Sequence, residues 1–477
     1  MLNPTLPQVA SLFIDNQWIS SDVSKPAFNP FNGESIGRVF ECSAELLDLA
    51  LAAARRGAEL AAAMPARERA GKLHRAADNV RAHAQELALV MAVETGKPVR
   101  DGRTEVLRSA DTLDLAAQEG LRIEGRHIPM DSSAIGAGKL GVSLRFPVGV
   151  VAAITPFNAP VNLTAHKLGP AWAAGNSVIL KPSAQAALTL QKYVEILLEG
   201  GIPPEWLQLV QGDQAAAALV RAPQVDFISF TGSSGVGELI KAGSGLKRVA
   251  LELGGVGHTI VAQDAVLEDC APVCAINGMR LAGQSCISVQ NVCVHRSLYD
   301  GFLERIAASV GALKTGNPLD EATDVGPVIS EHSAARILTL VDEARRDGAQ
   351  RVCGGARAGA LVQPTLLAGV PADARVVRQE VFGPVVNVMP YDDIEAVFRQ
   401  INAGPFGLQA GIFTQSIGLA MTAVRRLRMG GVIVNGSSTW RSDQAPYGGV
   451  KDSGMGREGP KFAIREMTEE RFVVFNA

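Results

Sequence analysis

Glu252, in Leu251-Glu252-Leu253-Gly254-Gly255, stands 34 residues upstream of Cys286 in Gly283-Gln284-Ser285-Cys286. A thiol attacks a carbonyl carbon only as its thiolate, and the thioester that can follow needs a second group to activate the water that releases it. One cysteine and one carboxylate, each beside glycine, supply the two halves of that chemistry. A cysteine by itself says little: the chain has six, and a buried inert thiol is the common case. Cys293 and Cys353 read as core or loop thiols. Cys270 and Cys274 have no nearby histidines to complete a metal site, so no metal is expected.

The elements that must position these residues alternate between helix and strand, which predicts an α/β protein. Residues 44–118 are rich in alanine and arginine, with Leu47, Ala50, Leu51 and Ala54 at helical spacing. Val148–Ile154 reads as a buried parallel strand, Asn162–Gly175 as a helix and Ser177–Leu180 as the next strand. Gln185–Glu199 reads as a helix, with strands at Leu207–Val210 and Phe227–Phe230. Repetition at that pitch predicts a doubly wound sheet. A second α/β block from about residue 254 has strands near Asn291–His295 and Gly431–Asn435.

Composition excludes several classes of function. The net charge of −3 supplies no field for nucleic acid. Apolar residues at 47% and charged residues at 19% describe a globular chain of 477 residues, long enough for two or three domains. No apolar run approaches the roughly 20 residues that cross a bilayer, so no membrane partner is expected. With Lys25 the first basic residue, no signal peptide is expected either, and the cysteine spacing shows no disulfide framework. A reduced, cytoplasmic protein is the reading.

Phosphate chemistry has a place too, although no Gly-x-Gly-x-x-Gly follows the first strand. The strand Phe227–Phe230 instead runs into Thr231-Gly232-Ser233-Ser234-Gly235-Val236-Gly237 and a helical stretch. Glycines there let backbone approach a pyrophosphate at a helix N-terminus. Lys181, in Lys181-Pro182-Ser183 at a strand's carboxyl edge, is placed to reach a ribose or a phosphate.

Seven motifs together make the chain resemble the NAD(P)-dependent aldehyde dehydrogenase superfamily from end to end. They are Thr155-Pro156-Phe157-Asn158, Lys181-Pro182-Ser183, Phe230-Thr231-Gly232-Ser233, Glu252-Leu253-Gly254-Gly255 and Gly283-Gln284-Ser285-Cys286, followed by Glu380-Val381-Phe382-Gly383-Pro384 and Pro446-Tyr447-Gly448-Gly449-Val450-Lys451. The resemblance implies that Cys286 attacks the aldehyde, that the Asn158 amide and the Cys286 N–H hold the oxyanion, and that Glu252 activates the hydrolytic water. It places the cofactor against Thr155, Pro156, Phe157, Lys181, Ser183, Ala184, Gly212 and Phe230. Thr231, Gly232, Ser233, Gly237 and Leu253 complete that set, with Glu380 on the nicotinamide ribose and Phe382 beside the ring. Glu458 matches a secondary acid/base position.

Departures from the commonest family pattern carry expectations of their own. Many members that prefer NAD have a glutamate three residues after the lysine, where this chain has Ala184. Without that carboxylate, Lys181 and Ser183 can bind a 2′-phosphate, so NADP is expected to be accepted. Arg280, six residues before Cys286, falls where succinate-semialdehyde dehydrogenases carry a carboxylate-gripping arginine. His166, Arg441 beside Trp440, and Arg108 are further candidates for the substrate's tail, with Ser285 and Ile287 next to the nucleophile. Such a set calls for a carboxylate, sulfonate or phosphonate on a short aldehyde; the open alternative is that Arg441 and Arg280 pair with local carboxylates such as Asp443. Gly407-Leu408-Gln409-Ala410-Gly411 and Gly283–Ser288 also resemble the lactaldehyde and glyceraldehyde-phosphate branch, and the histidine resembles phosphonoacetaldehyde-type relatives.

The resemblance divides the chain into a cofactor domain (1–119 and 143–253), a catalytic domain (254–453) and a small β oligomerisation element (120–142 and 454–477). An apolar terminal strand near Arg471–Phe475 with an exposed edge is a liability unless paired with another subunit, and the resemblance implies a homodimer or homotetramer. Other readings compete: a dehydrogenase of neutral aldehydes, a CoA-acylating semialdehyde dehydrogenase, or a non-catalytic member of the fold. Glu252 argues against the second, and Cys286, Glu252 and Asn158 together argue against the third.

Overall fold

The computed structural model describes residues 7–476; residues 1–6 and 477, at the ends of the expected cofactor and oligomerisation segments, lie outside the described residues. Two sheets carry the molecule. The first has eight strands in the order Gly454–Met455, Arg248–Glu252, Phe227–Thr231, Val150–Thr155, Ser177–Pro182, Leu207–Leu209, Leu12–Ile14 and Gln17–Ile19. The middle five are parallel. From Val150–Thr155 the chain first builds outward to Leu207–Leu209, then returns to add Phe227–Thr231 on the other side. Open α/β sheets bind their ligands in the crevice at such a switch point.

Strand limits shift where backbone chemistry demands it. The strand expected from Val148 starts at Val150, because Gly149 sits at φ +121 with the Asp226 carboxylate where a Cβ would stand. The next helix runs Pro160–Ala174, opened by a proline and closed by Gly175 in the left-handed region. Gln185 belongs to a short 3-10 turn, and the α-helix begins at Ala187. Asn435, at φ +52, ends the strand Gly431–Val434. Apolar cores fill both faces of this sheet: Trp172, Trp206 and Phe227 anchor one, and Leu12, Ile228 and Phe230 the other.

The second sheet orders its seven strands Gln350–Cys353, Thr365–Ala368, Val385–Tyr391, Val289–His295, Gly257–Val261, Gln409–Phe413 and Gly431–Val434. All neighbours are parallel except the first pair.

A third sheet joins Thr468–Asn476, Lys139–Pro147 and Arg126–Ile128. Residues 454–466, expected with this element, go elsewhere. Gly454–Met455 pairs with Arg248–Glu252, where a Cβ on Gly454 would lie 1.9 Å from the Leu251 carbonyl, and helix Pro460–Glu466 buries Ile464 in the first core. The small sheet also extends past residue 142, to Pro147. Phe472, Phe475, Leu140 and Leu144 remain exposed on it. Among the described residues no helix is long and apolar enough to cross a membrane.

Candidate active site

Two cavities meet at Cys286. The larger, about 910 Å³, lies at the switch point of the first sheet; the smaller, about 480 Å³, lies between helices Val99–Gly120, Pro160–Ala174 and Leu267–Met279 and the segment 435–447. Asn158, Leu163 and Cys286 line both. A group reaching in from either side therefore meets the same thiol.

The loop that presents Cys286 is strained. After helix Leu267–Met279, Leu281 (φ +56), Ala282 (φ +52) and Gly283 (φ +69) turn left-handed in succession. Two of these are not glycine, a cost of order 1–3 kcal/mol each that only surrounding contacts can sustain. Gly283 could not be larger, since a Cβ would stand 1.9 Å from the Gly383 carbonyl. The Gln284 side chain accepts from the Ile329 N–H (2.9 Å), and its backbone carbonyl accepts from Asn158 Nδ2 (2.8 Å). That bond tethers the Asn158 amide at the junction of the two cavities and uses one of its two N–H groups. Asn158 is not a helix cap: the cap position is Ala159, and the Glu105 carboxylate accepts from the Val161 and Asn162 N–H groups instead. Lys97 pairs with Glu105 from below.

Glu252 ends the strand Arg248–Glu252 and is 3% exposed, with no hydrogen-bond partner for either carboxylate oxygen among the described residues. Gly448 makes the space, since a Cβ there would lie 2.7 Å from Oε1. Burial, and then the nearby Glu458 charge, push the Glu252 carboxyl well above the usual carboxylate range, against Arg441 and Lys167. Glu458 goes the other way. Burial opposes its ionisation, but the Lys167 ammonium and the Arg441 guanidinium, both hydrogen-bonded to it, hold it at about 2. Burial raises the Cys286 thiol to about 12, with the Tyr447 hydroxyl pulling it back. Two adjacent carboxylates are thus shifted in opposite directions: Glu458 toward the ionised, paired form and Glu252 toward the neutral form.

The larger cavity suits a dinucleotide. Thr155, Pro156, Phe157, Lys181, Ser183, Phe230, Thr231, Gly232, Ser233, Leu253, Glu380 and Phe382 all line it. The Thr155 and Thr231 hydroxyls are buried without partners. Ser233 caps helix Ser234–Gly243, whose N-terminus faces the crevice. Gly254 lets Glu380 lean across, and burial raises the Glu380 carboxyl to about 7 although the Gly255 N–H donates to it. Phe157 and Phe382 meet edge to face at 6.0 Å. Ala184, Gly212 and Gly237, expected here, do not line the cavity. Gly212 (φ +101) turns the chain into helix Asp213–Arg221, and Gly237 makes room for Leu253, whose Cδ2 a Cβ would approach to 2.5 Å. Lys181 contacts Asp213 at 3.3 Å, a weak tie because Asp213 is almost fully exposed.

The smaller cavity is dense in charge. Lys97, Arg108, Arg280 and Arg441 line it with Asp101 and Glu105, four cationic side chains against two anionic. Ser285, Ile287, Trp440 and Tyr447 complete the wall around Cys286. Each arginine is paired, as the alternative reading held for Arg441 and Arg280, though only Arg108 uses Asp443: Nε at 3.0 Å and Nη2 at 2.7 Å. Arg441 pairs with Glu458 (2.9 Å) and Arg280 with Asp101 (3.2 Å). Arg280 spends only its Nε this way, so both terminal nitrogens carry no hydrogen bond among the described residues. His166 lines neither cavity. It is fully buried, its ring 3.0 Å from Asp443, and burial followed by the Arg441 charge lowers its pKa against the pull of Asp443. It supports the wall and does not face a substrate. Tyr447, Asp101, Glu105, Lys97 and Lys167 were not singled out from the sequence. Tyr447 lay inside a recognised motif, but nothing local shows that its hydroxyl meets a thiol 161 residues away.

A switch-point crevice, a cysteine at the junction of two cavities and a buried carboxylate therefore come together at one site. The model of the aldehyde dehydrogenase family matches residues 18–473, and the chain belongs to that family of oxidoreductases acting on aldehydes. It is 42% identical to a 3-sulfolactaldehyde dehydrogenase of Priestia megaterium, over 98% of each chain. Aldehyde dehydrogenase 21 of Physcomitrella patens, solved with its reaction product succinate, superposes with a TM-score of 0.95 at 37% identity, covering 98% of this chain and 99% of that one. An NADP-dependent glyceraldehyde-3-phosphate dehydrogenase of Bacillus halodurans, solved with NADP, gives a TM-score of 0.95 at 34% identity over the same shares.

Proposed function

We propose that this chain oxidises a short aldehyde bearing a carboxylate, sulfonate or phosphonate to the corresponding acid, with NAD(P) as oxidant and NADP accepted. The observation that carries the reading is the junction: Cys286 stands between a dinucleotide-sized crevice and a cavity walled by four cations. A relative named for a sulfonated aldehyde, a neighbour solved with its product succinate and another named for a phosphorylated aldehyde support the same tail chemistry.

In this reading the tail enters the smaller cavity and meets the free fork of Arg280 and the remaining N–H groups of Arg108 and Arg441. Planar guanidinium donors suit such anions. The Cys286 sulfur bonds to the carbonyl carbon, and the Asn158 amide and the Cys286 N–H take up the oxyanion, where one donor is typically worth about 3–4 kcal/mol. Bound NAD(P) supplies the acceptor for the hydride that leaves the same carbon. Glu252 then takes a proton from the water that cleaves the thioester.

A homodimer or homotetramer formed through the apolar face around Phe472 and Phe475 belongs to the same proposal, and light scattering tests it. So does a cytoplasmic location, which suits six cysteines without a disulfide. The functional test is reduction of NAD and NADP with succinate semialdehyde, with sulfonated, phosphonated and hydroxylated three-carbon aldehydes, and with neutral controls. A preference of about 100-fold in kcat/KM for anionic substrates, roughly 2.7 kcal/mol, is expected. Equal turnover of propanal would make the arginines structural.

A further inference from the structure

Tyr447 is buried against Ile287 and Leu408, and its hydroxyl has one partner among the described residues, the Cys286 Sγ at 3.0 Å. The ring is held from several sides. Its backbone exchanges two hydrogen bonds with Glu458, N–H to carbonyl at 3.1 Å and carbonyl to N–H at 2.7 Å. The Arg441 guanidinium stacks 3.8 Å from the ring centre, and Glu458 anchors it at 2.9 Å. Lys167, reaching the same carboxylate at 2.9 Å, completes the frame. A ring that only filled space would need neither a cation on its face nor a hydroxyl aimed at the sulfur.

We propose that the Tyr447 hydroxyl is a catalytic donor to the Cys286 sulfur, stabilising its thiolate, with Arg441 and Glu458 as positioning residues for the ring. This rests on Cys286 being the nucleophile. An O–H donating to a thiolate is charge-assisted, and a cation over the ring makes the phenol a stronger donor. The thiol proton leaves to water, and Tyr447 keeps its own. On attack, a sulfur lone pair forms the S–C bond and the carbonyl π pair moves to oxygen. On hydrolysis the C–S bond breaks, its pair returns to sulfur, and the same O–H receives the leaving thiolate. Tyr447 therefore acts at both ends of the cycle. The other groups facing the sulfur are Glu380 and Glu252, which oppose the thiolate, and Arg441, which favours it.

The test is alkylation of Cys286 by iodoacetamide in the full-length enzyme, followed across pH by peptide mass analysis. Tyr447→Phe keeps the ring and removes the donor. Its profile is expected to move up by about one pH unit, slowing alkylation at neutral pH about tenfold. The value of kcat should fall in step, with aldehyde KM little altered. Fluorotyrosine at position 447, a stronger donor of similar size, should move the profile down; this arm stands even if the phenylalanine variant folds poorly. Coincident profiles for wild type and Tyr447→Phe, or an effect seen only in Tyr447→Ala, would overturn the proposal. Turnover retained by Cys286→Ser would remove the nucleophile itself, whereas an inactive Cys286→Ser with coincident profiles would remove only the role of Tyr447.

Discussion

The two cavities that share Cys286 are built on opposite principles. In the dinucleotide crevice the polar groups wait: the Thr155 and Thr231 hydroxyls and both Glu252 oxygens are buried without partners. In the tail cavity nearly every charge is already answered, Lys97 by Glu105, Arg108 by Asp443 and Arg441 by Glu458. Unpaired neutral hydroxyls cost a few kcal/mol at most, but an unpaired buried cation costs far more. A cavity for an anion must therefore hold its cations with internal carboxylates and keep only spare donors for the ligand. Arg280, half-paired and partly exposed, is where that compromise is loosest.

Breaking the crevice side should have the largest effect. Glu252→Gln removes the base, so steady-state turnover should fall by about 10²–10⁴-fold. Rapid mixing should still show a single turnover of cofactor reduction; a lost burst would place Glu252 before the hydride step. The raised pKa of Glu252 also sets a sign. Below it the carboxyl is neutral and cannot accept a proton, so hydrolysis should accelerate as pH rises through that value, and the glutamine variant should lose this limb.

At the junction, Asn158→Ala removes one oxyanion donor and should lower kcat by about 10²–10³-fold with little change in cofactor affinity. A change confined to KM would mean that Asn158 serves only to tether Gln284. On the tail side, Arg280→Leu should cost about 100-fold in kcat/KM for anionic aldehydes and leave propanal unaffected, which competing-substrate kinetics measures. Equal losses on both substrates would make Arg280 a brace for Asp101. The smallest effect belongs to the crevice rim: Lys181→Ala should weaken NADP about tenfold more than NAD, about 1.4 kcal/mol by titration calorimetry. Equal weakening would leave the 2′-phosphate without its partner.

Much of this was legible along the chain because the chemistry sits in short motifs at strand ends. Thr155, Lys181, Phe230 and Glu252 all lie at the carboxyl edges of parallel strands, and period and spacing predict such edges. The tail cavity was legible only in part. Arg280, Arg441 and Arg108 do reach it, but His166 stays behind the wall on Asp443, as a buried imidazole with a carboxylate partner should.

By itself the sequence determined the α/β alternation, the glycines that permit close backbone approach, and the residue types available for thioester chemistry, because these follow from local sterics and intrinsic reactivity. Only the tertiary structure decided which cation meets which carboxylate, in which direction each of two neighbouring carboxylates is shifted, and that Tyr447 faces Cys286. Those outcomes depend on distances between residues far apart in the chain and on burial, and both exist only once the elements have packed.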